Sequence, residues 1–476
     1  MGWKQLEPSG PHLTYLLLSS FLIFYALFSS FIRNRLHLSE PPLATIVGII
    51  LGPRGANIFT PEKWGYGDDV VQELTRVIVG IQCFDVGVEL PRKYLRPHLQ
   101  SLMILLGPVM TTGWLVVAAF LYLILKTDIS TSLVIAACLT PTDPVLAASV
   151  LSNSQFSTRV PSRIRRLLSA ESGCNDGVAF PFLYAGLSIL TRATFASAAK
   201  KWILITILWQ CGLGIFVGII IGHTANKLLH YSDDKGYVGR PSYVAFYLLL
   251  ALFSVGVAST LGVDDFLVAF SAGAAFSHDG VFAEATEGSS LGNIIDLLLN
   301  STMFVFFGSI IPWSDFNMKW PDPDVMAVVT PWRLFGLLVL ILLFRRIPAV
   351  LALKGVIPEI YTWPEAFFVG HFGPMGVGAL FLAIEARAQL ETDSSEAQPH
   401  PTPPGELPAR NQTCMEMIWP VICFIVLGST MVHGLSTLFV SLWIHFRRHE
   451  TERAPLMGGE TENIGGMVHS DDESDG

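Results

Sequence analysis

The run TSLVIAACLTPTDPVLAASVL (131–151) is apolar over about the length of a bilayer-spanning helix, yet Pro141, Asp143 and Pro144 interrupt its centre. Each proline removes a backbone donor and clashes with the preceding turn. Two of them three residues apart unwind the helix. Unwound backbone at membrane depth persists only where it lines a cavity or is buried in protein. Asp143 is placed to stabilise an exposed helix N-terminus, and Thr142 offers a hydroxyl and a free carbonyl. A plain loop between two short helices is the competing reading.

The remainder of the chain fits that environment. Its 476 residues are 51% apolar and 14% charged, against about 25% charged in soluble domains. Reading for apolar runs gives roughly thirteen spans, and so an all-α polytopic membrane protein. Their limits are 12–32, 42–59, 71–90, 99–125, 131–151, 167–191, 202–229, 241–261, 264–282, 291–311, 330–352, 365–386 and 415–445. The first is too long for a signal-peptide core and lacks a cleavage site before Arg33, so it reads as a retained helix. Leu6 stands where myristoylation needs Ser or Thr. The transmembrane domain is thus expected over 1–445, with an acidic tail over 446–476.

A net charge of −9 argues against nucleic-acid binding. The composition also excludes a disordered chain and a secreted disulfide scaffold. Six cysteines occur, none in a CxxC pair, and they read as small buried hydrophobes. No structural metal or cofactor is expected.

Positive connections set the orientation. RNR (33–35), PRKYLR (91–96), STRVPSRIRR (157–166) and the RRHETER stretch (447–453) all fall on one side if there are thirteen spans. That places the N-terminus outside and the tail in the cytosol. Lys200 and Lys201 fall on the wrong side. The connection 391–413, rich in Pro, Ser and Glu, is expected outside and disordered. It contains the glycosylation sequon Asn411-Gln412-Thr413; a second sequon at Asn300 sits within a span.

Ionisable residues inside apolar runs mark an ion or substrate route, because each costs about 2.5–3.5 kcal/mol to insert. Four stand out: Asp143, Glu171, Asp176 and Arg346. In ESGCNDG (171–177) helical spacing puts Ser172 with Asp176 and Glu171 with Asn175. A cytosolic helix end with an acidic first turn would account for Glu171 alone, not for the deeper Asp176. Arg346, in FRRIP (344–348), needs an anionic partner, for which Glu171 is the candidate; Arg345 is free to snorkel instead. Asp85 is a further intramembrane acid without an assigned role. Asp264 and Asp265, in LGVDDF (261–266), read either as an N-cap or as an outer funnel that concentrates cations.

The twelfth span contains HFGPMGVGALF (371–381), where Gly373, Pro374 and Gly376 break the helix. The two interruptions lie seven spans apart. If spans 1–6 and 8–13 are two halves, each break falls in the fifth span of its half. Matched interruptions point to an inverted-repeat transporter with its site at the midplane.

SEPPLATIVGIILGP (39–53), TPTDP, ESGCNDG and FRRIP together resemble the sodium/proton exchanger family. LGVDDF and HFGPMGVGALF resemble its fungal plasma-membrane antiporters. The resemblance covers residues 10–445. It implies a homodimer of thirteen-helix protomers built from two inverted six-helix repeats, with a dimerisation domain and a moving six-helix core. The core would comprise about 99–191 and 330–445, with spans 5 and 12 crossing where they unwind. It implies that Asp176 binds the ion and the proton, that Thr142, Asp143 and Ser172 complete the sodium site, that Asn175 and Glu171 belong to the wider ion- and proton-binding set, and that Glu171 and Arg346 form a buried ion pair. Asp264 and Asp265 match an acidic pair of the fungal branch. Many relatives carry an arginine in the second break, where Met375 stands in this chain.

The function expected is exchange of cytosolic Na+, also Li+ and K+, for external H+ by alternating access, serving salt tolerance and cation homeostasis. Sodium and the proton would exclude each other at Asp176. Since position 175 is Asn, one exchangeable carboxylate favours one proton per cation. Rival readings are a potassium-preferring exchanger, a cation channel, and an intramembrane aspartyl protease using Asp143 and Asp176. The absence of a GxGD motif weighs against the last.

Overall fold

The computed structural model describes residues 9–91, 93–144, 146–147, 160–191, 194–282, 291–319, 326–399, 407, 409–436 and 438. The acidic tail, RRHETER and residues 148–151 of the fifth span lie outside the described residues. Among the described residues every regular element is helical, apart from one isolated bridge between Lys319 and Val328.

The helices follow the apolar runs. The first four are α1 (Gly10–Asn34), α2 (Glu40–Leu51), α3 (Asp68–Glu89) and α4 (Leu95–Leu125), the last with a π-helical turn at Leu105–Val109 around Pro108. Next come α5 (Ile129–Cys138), α6 (Ser162–Thr191), α7 (Phe195–Asp234), α8 (Arg240–Leu261), α9 (Asp265–Phe276) and α10 (Leu291–Ile310). The chain continues through α11 (Pro331–Phe344), α12 (Ile347–Leu353), α13 (Trp363–His371), α14 (Val377–Thr392) and α15 (Ala409–Gly434). By length and composition, α1, α4, α7, α15 and the α11–α12 stretch can cross a bilayer. The other apolar helices are shorter.

Local chemistry explains the boundaries. Asp128 accepts from the amides of Ser130 and Thr131 to start α5. Thr362 and Glu365 form a reciprocal capping box at α13, with Pro364 in its first turn. Gly262, in the left-handed region at φ +64°, separates α8 from α9.

Two features depart from the sequence reading. The eleventh run divides at Arg345 and Arg346, because Pro348 cannot supply an amide to the helix before it and instead begins α12. The sixth run begins five residues earlier than expected: RIRRLLSA is already helical. Glu171 and Asp176 therefore lie in the interior of one long helix, not in its first turn.

The packing is close. α9 lies against α3, α7 and α8, while α14 touches α3, α5, α6 and α15. α2 and α10 meet at Gly48 and Gly308, whose Cα atoms approach so closely that a Cβ on either would strike the other backbone. α1 and α7 turn large apolar side chains outward, among them Phe24, Leu27, Leu208 and Phe216. Such faces suit hydrocarbon. The segment 393–399 is not loose, as the composition of 391–413 had led one to expect: it is hydrogen-bonded onto α3, as described below. Asn411 sits half-buried in the first turn of α15. Lys201, on the side where a lysine was unexplained, pairs with Asp393 at 3.7 Å.

Candidate ion-binding site

The α5 helix stops at Cys138, and α13 stops at His371. Backbone then runs unwound through Thr140–Asp143 and Phe372–Gly376 before helix resumes in each case. The two interruptions touch: the amide of Asp143 donates to the Pro374 carbonyl at 2.8 Å. Met375 is held from below, its amide donating to Ser429 Oγ of α15 at 2.8 Å.

This crossing leaves four bare helix ends, two of amides and two of carbonyls. Asp143 serves both amide ends. Its Oδ1 accepts from Leu146 N–H at 2.8 Å, and its Oδ2 accepts from Val377 N–H, the first residue of α14, at 3.0 Å. Arg345 serves both carbonyl ends. Nη1 donates to the carbonyls of Leu139 and Pro141, and Nη2 donates to that of Gly373. Each charge opposes the dipole it faces. The positive charge at the crossing thus comes from Arg345, the residue that follows α11, and from neither interrupted segment. A side chain 7% exposed and aimed into the crossing does not snorkel.

Arg346 turns the other way. Its two terminal nitrogens donate to the two carboxylate oxygens of Glu171, each at 2.5 Å, and its Nε donates to the Val369 carbonyl at 3.0 Å. The planar guanidinium matches the carboxylate in bidentate fashion. Arg346, between α11 and α12, thereby ties this junction to α6 and α13.

Across the crossing lies the polar stripe of α6. Thr142 N–H donates to Asn175 Oδ1 at 3.0 Å, Asn175 Nδ2 donates to Thr142 Oγ1 at 2.6 Å, and the hydroxyls of Thr142 and Ser172 are 2.9 Å apart. A cavity reaches Thr142 and Asn175 from the α4 side, between Trp114 and the arginine pair.

Asp176 faces α3 and α9. Its Oδ2 meets the Cys83 thiol at 3.9 Å, and its Oδ1 is buried without a hydrogen-bond partner among the described residues. Gly378 lies so near that a Cβ there would fall on Oδ1; Gly376 stands likewise against Asp143. Asp143 and Asp264 are the carboxylates that repel Asp176 electrostatically. Asp264 caps α9, its Oδ1 accepting from Phe266 and Leu267 at 3.0 and 2.9 Å, while its Oδ2 is buried and unpartnered among the described residues. Asp265 accepts from Ser259 and pairs with Arg76 at 3.3 Å. Both aspartates are buried, so their geometry is that of a cap and an ion pair, not of an open funnel. Asp85 accepts from the Tyr247 hydroxyl.

The crossing thus gathers Thr142, Asp143, Ser172, Asn175 and Asp176, and the Glu171–Arg346 pair braces it. Sequence reasoning missed Arg345 as the carbonyl cap, Ser429 as the prop under Met375, and Cys83 beside Asp176. The doubled arginine of FRRIP was a signal for the first; the others carried none.

The chain belongs to the sodium/hydrogen exchanger, transmembrane family, which matches residues 19–443. It is 45% identical over 444 residues to a probable Na(+)/H(+) antiporter of Schizosaccharomyces pombe, covering 93% of this chain and 57% of that one. It is 43% identical over 449 residues to the Na(+)/H(+) antiporter of Saccharomyces cerevisiae, covering 93% and 45%. The chain thus spans about half the length of these relatives. A second S. pombe Na(+)/H(+) antiporter is 36% identical over 445 residues, with 93% of each chain covered. Among solved structures, the sodium proton antiporter MjNhaP1 of Methanocaldococcus jannaschii superposes with a TM-score of 0.67 at 16% identity, covering 93% of this chain and 99% of that one. That likeness carries the fold.

Proposed function

We infer that the protein is a secondary antiporter that exchanges cytosolic Na+, and also Li+ or K+, for external H+. The observation that carries this reading is the buried Oδ1 of Asp176, unpartnered among the described residues beside a crossing of capped helix ends. Such a buried carboxylate needs a counter-charge. Sodium, a hard cation, takes oxygen ligands from Asp176, Thr142, Ser172 and, through its remaining lone pairs, Asp143. A proton on Asp176 meets the same need. The two forms exclude each other, which couples their fluxes.

In this reading the chain has thirteen spans in two inverted repeats, with the N-terminus outside. The core (99–191 and 330–445) rocks against the rest of a homodimer in the fungal plasma membrane. Moving the bare site is costly and moving the loaded site much less so, since an isolated charge in low dielectric is heavily penalised. One titrating carboxylate beside Asn175 gives one proton per cation and electroneutral exchange.

The test is reconstitution in proteoliposomes with an imposed pH gradient and each alkali cation, with and without a membrane potential. The wild type should dissipate the gradient on addition of Na+. Asp176→Asn should not; exchange by that variant would sink the assignment.

A further inference from the structure

Above Asp176, three helices present a ring one turn away, all toward the end that carries residues 391–399. Phe180 follows Asp176 by four residues on α6. Phe381 follows Gly378 by three on α14. Phe266 follows Asp264 by two on α9. The rings touch one another: Phe266 and Phe381 centroids lie 4.9 Å apart, Phe180 and Phe266 5.9 Å, Phe180 and Phe381 6.1 Å. All three are buried, and Arg76 of α3 lies over Phe381 at 5.7 Å.

One further turn out, about 6 Å along each helix, the contacts are polar. Glu385 of α14 accepts from Tyr184 of α6 at 2.8 Å and from Gln72 of α3 at 3.0 Å. Gln72 also donates to the Ser395 carbonyl at 3.0 Å and accepts from the Ala397 amide at 2.9 Å. Arg387 of α14 pairs with Asp68, at the start of α3, at 2.8 Å.

We propose that these layers form a gate: an aromatic seal of Phe180, Phe266 and Phe381 over the ion site, locked by a polar latch of Asp68–Arg387 and Gln72–Glu385 that must part each time the site opens to that face. The inference rests on the reading above, which assigns α3 and α9 to one body, α6 and α14 to the other, and this face to the outside. Every contact in both layers except Glu385–Tyr184 and Phe180–Phe381 then crosses between the bodies, the Gln72 bonds to 395–397 included. Dry aromatic contact excludes ions, while hydrogen bonds and one ion pair give a latch that water can replace on opening. The segment 393–399 is a strap across the latch, since it hangs from α14 and is bonded to Gln72.

The test uses the full chain in proteoliposomes. Asp68→Cys and Arg387→Cys are combined and bridged by a short bis-thiosulfonate reagent. The untreated double and single variants should exchange. Bridging should slow exchange at least about tenfold, as expected when a required opening is blocked, and reductant should restore it. The same reagent should leave each single variant active. A bridged protein that exchanges at the unbridged rate, or a pair that the reagent cannot bridge, overturns the gate. If the double variant does not accumulate, Phe381→Ala supplies the answer. An impermeant thiol reagent added outside should then reach Cys83 roughly tenfold faster than in the wild type, and equal rates overturn the proposal. Loss of exchange in the untreated wild type would instead count against the antiporter reading.

Discussion

Asp143 and Arg345 grip the same helix crossing from opposite electrical ends, the carboxylate on two sets of amides and the guanidinium on two sets of carbonyls. Neither touches the other through these bonds. Each neutralises what the other cannot.

Their coupling is measurable by a double-mutant cycle. Asp143→Ala and Arg345→Ala each remove partners of buried backbone groups, at about 1–3 kcal/mol apiece. Each single change also strands the opposite charge in a buried site, so the double variant should lose less than the sum. Thermal unfolding in detergent reads all four corners; strict additivity would mean that the two residues do not share one crossing.

Glu171 and Arg346 should behave as a buried pair. Glu171→Gln or Arg346→Met alone leaves an uncompensated charge and should cost roughly 3–5 kcal/mol. Replacing both, Glu171→Leu with Arg346→Met, should recover most of that stability. Arg346→Lys should not, because an ammonium cannot bond both carboxylate oxygens and the Val369 carbonyl in the same geometry. Unfolding midpoints from tryptophan fluorescence distinguish these outcomes.

Gly378→Ala places a methyl on the open oxygen of Asp176. Sodium-driven proton flux should fall by about two orders of magnitude, a loss of roughly 2.7 kcal/mol in the transition state. Gly336→Ala in α11, where a Cβ meets nothing within 4 Å, should exchange normally and gain up to about 1 kcal/mol in helix stability. Comparable flux from the two variants would remove Gly378 from the site.

Competition fixes the sign of the pH response. If one proton and one cation share Asp176, acidifying the cation-loading side should raise the KM for Na+ by roughly tenfold per pH unit once the site is mostly protonated. Saturating Na+ should abolish the acid inhibition and leave the maximal rate unchanged. A maximal rate that falls with acid while KM stays constant would indicate a separate proton site.

The breaks were legible because their chemistry is local: two prolines three residues apart in TPTDP, and a proline between glycines in FGPMG, disfavour a continuous helix more than the single interior prolines that other helices here absorb. The choice of Arg346 for Glu171 could be named, but not the task of Arg345. Adjacent residues diverge only once the helix itself is seen to end between α11 and α12. Cys83 beside Asp176 was illegible for a different reason. Nothing in GIQCFDVGVEL reports which face of α3 meets α6, and a thiol serves a core as readily as a site. The order of 393–399 was hidden too, since its composition favours solvent and its partners, Gln72 and Tyr184, lie hundreds of positions away. For Asp264 and Asp265 the cap and the funnel stood side by side in the sequence; the structure gives Asp264 the cap, while nothing in LGVDDF reports that Asp265 meets Arg76.

The positive charge at the crossing is borrowed from a neighbour, for it stands at the end of α11 and on neither interrupted helix. Whatever displaces the interrupted pair must carry that neighbour along, or three carbonyl bonds are torn away in a dry interior. Those bonds make the end of α11 and the two interrupted segments one bonded trio.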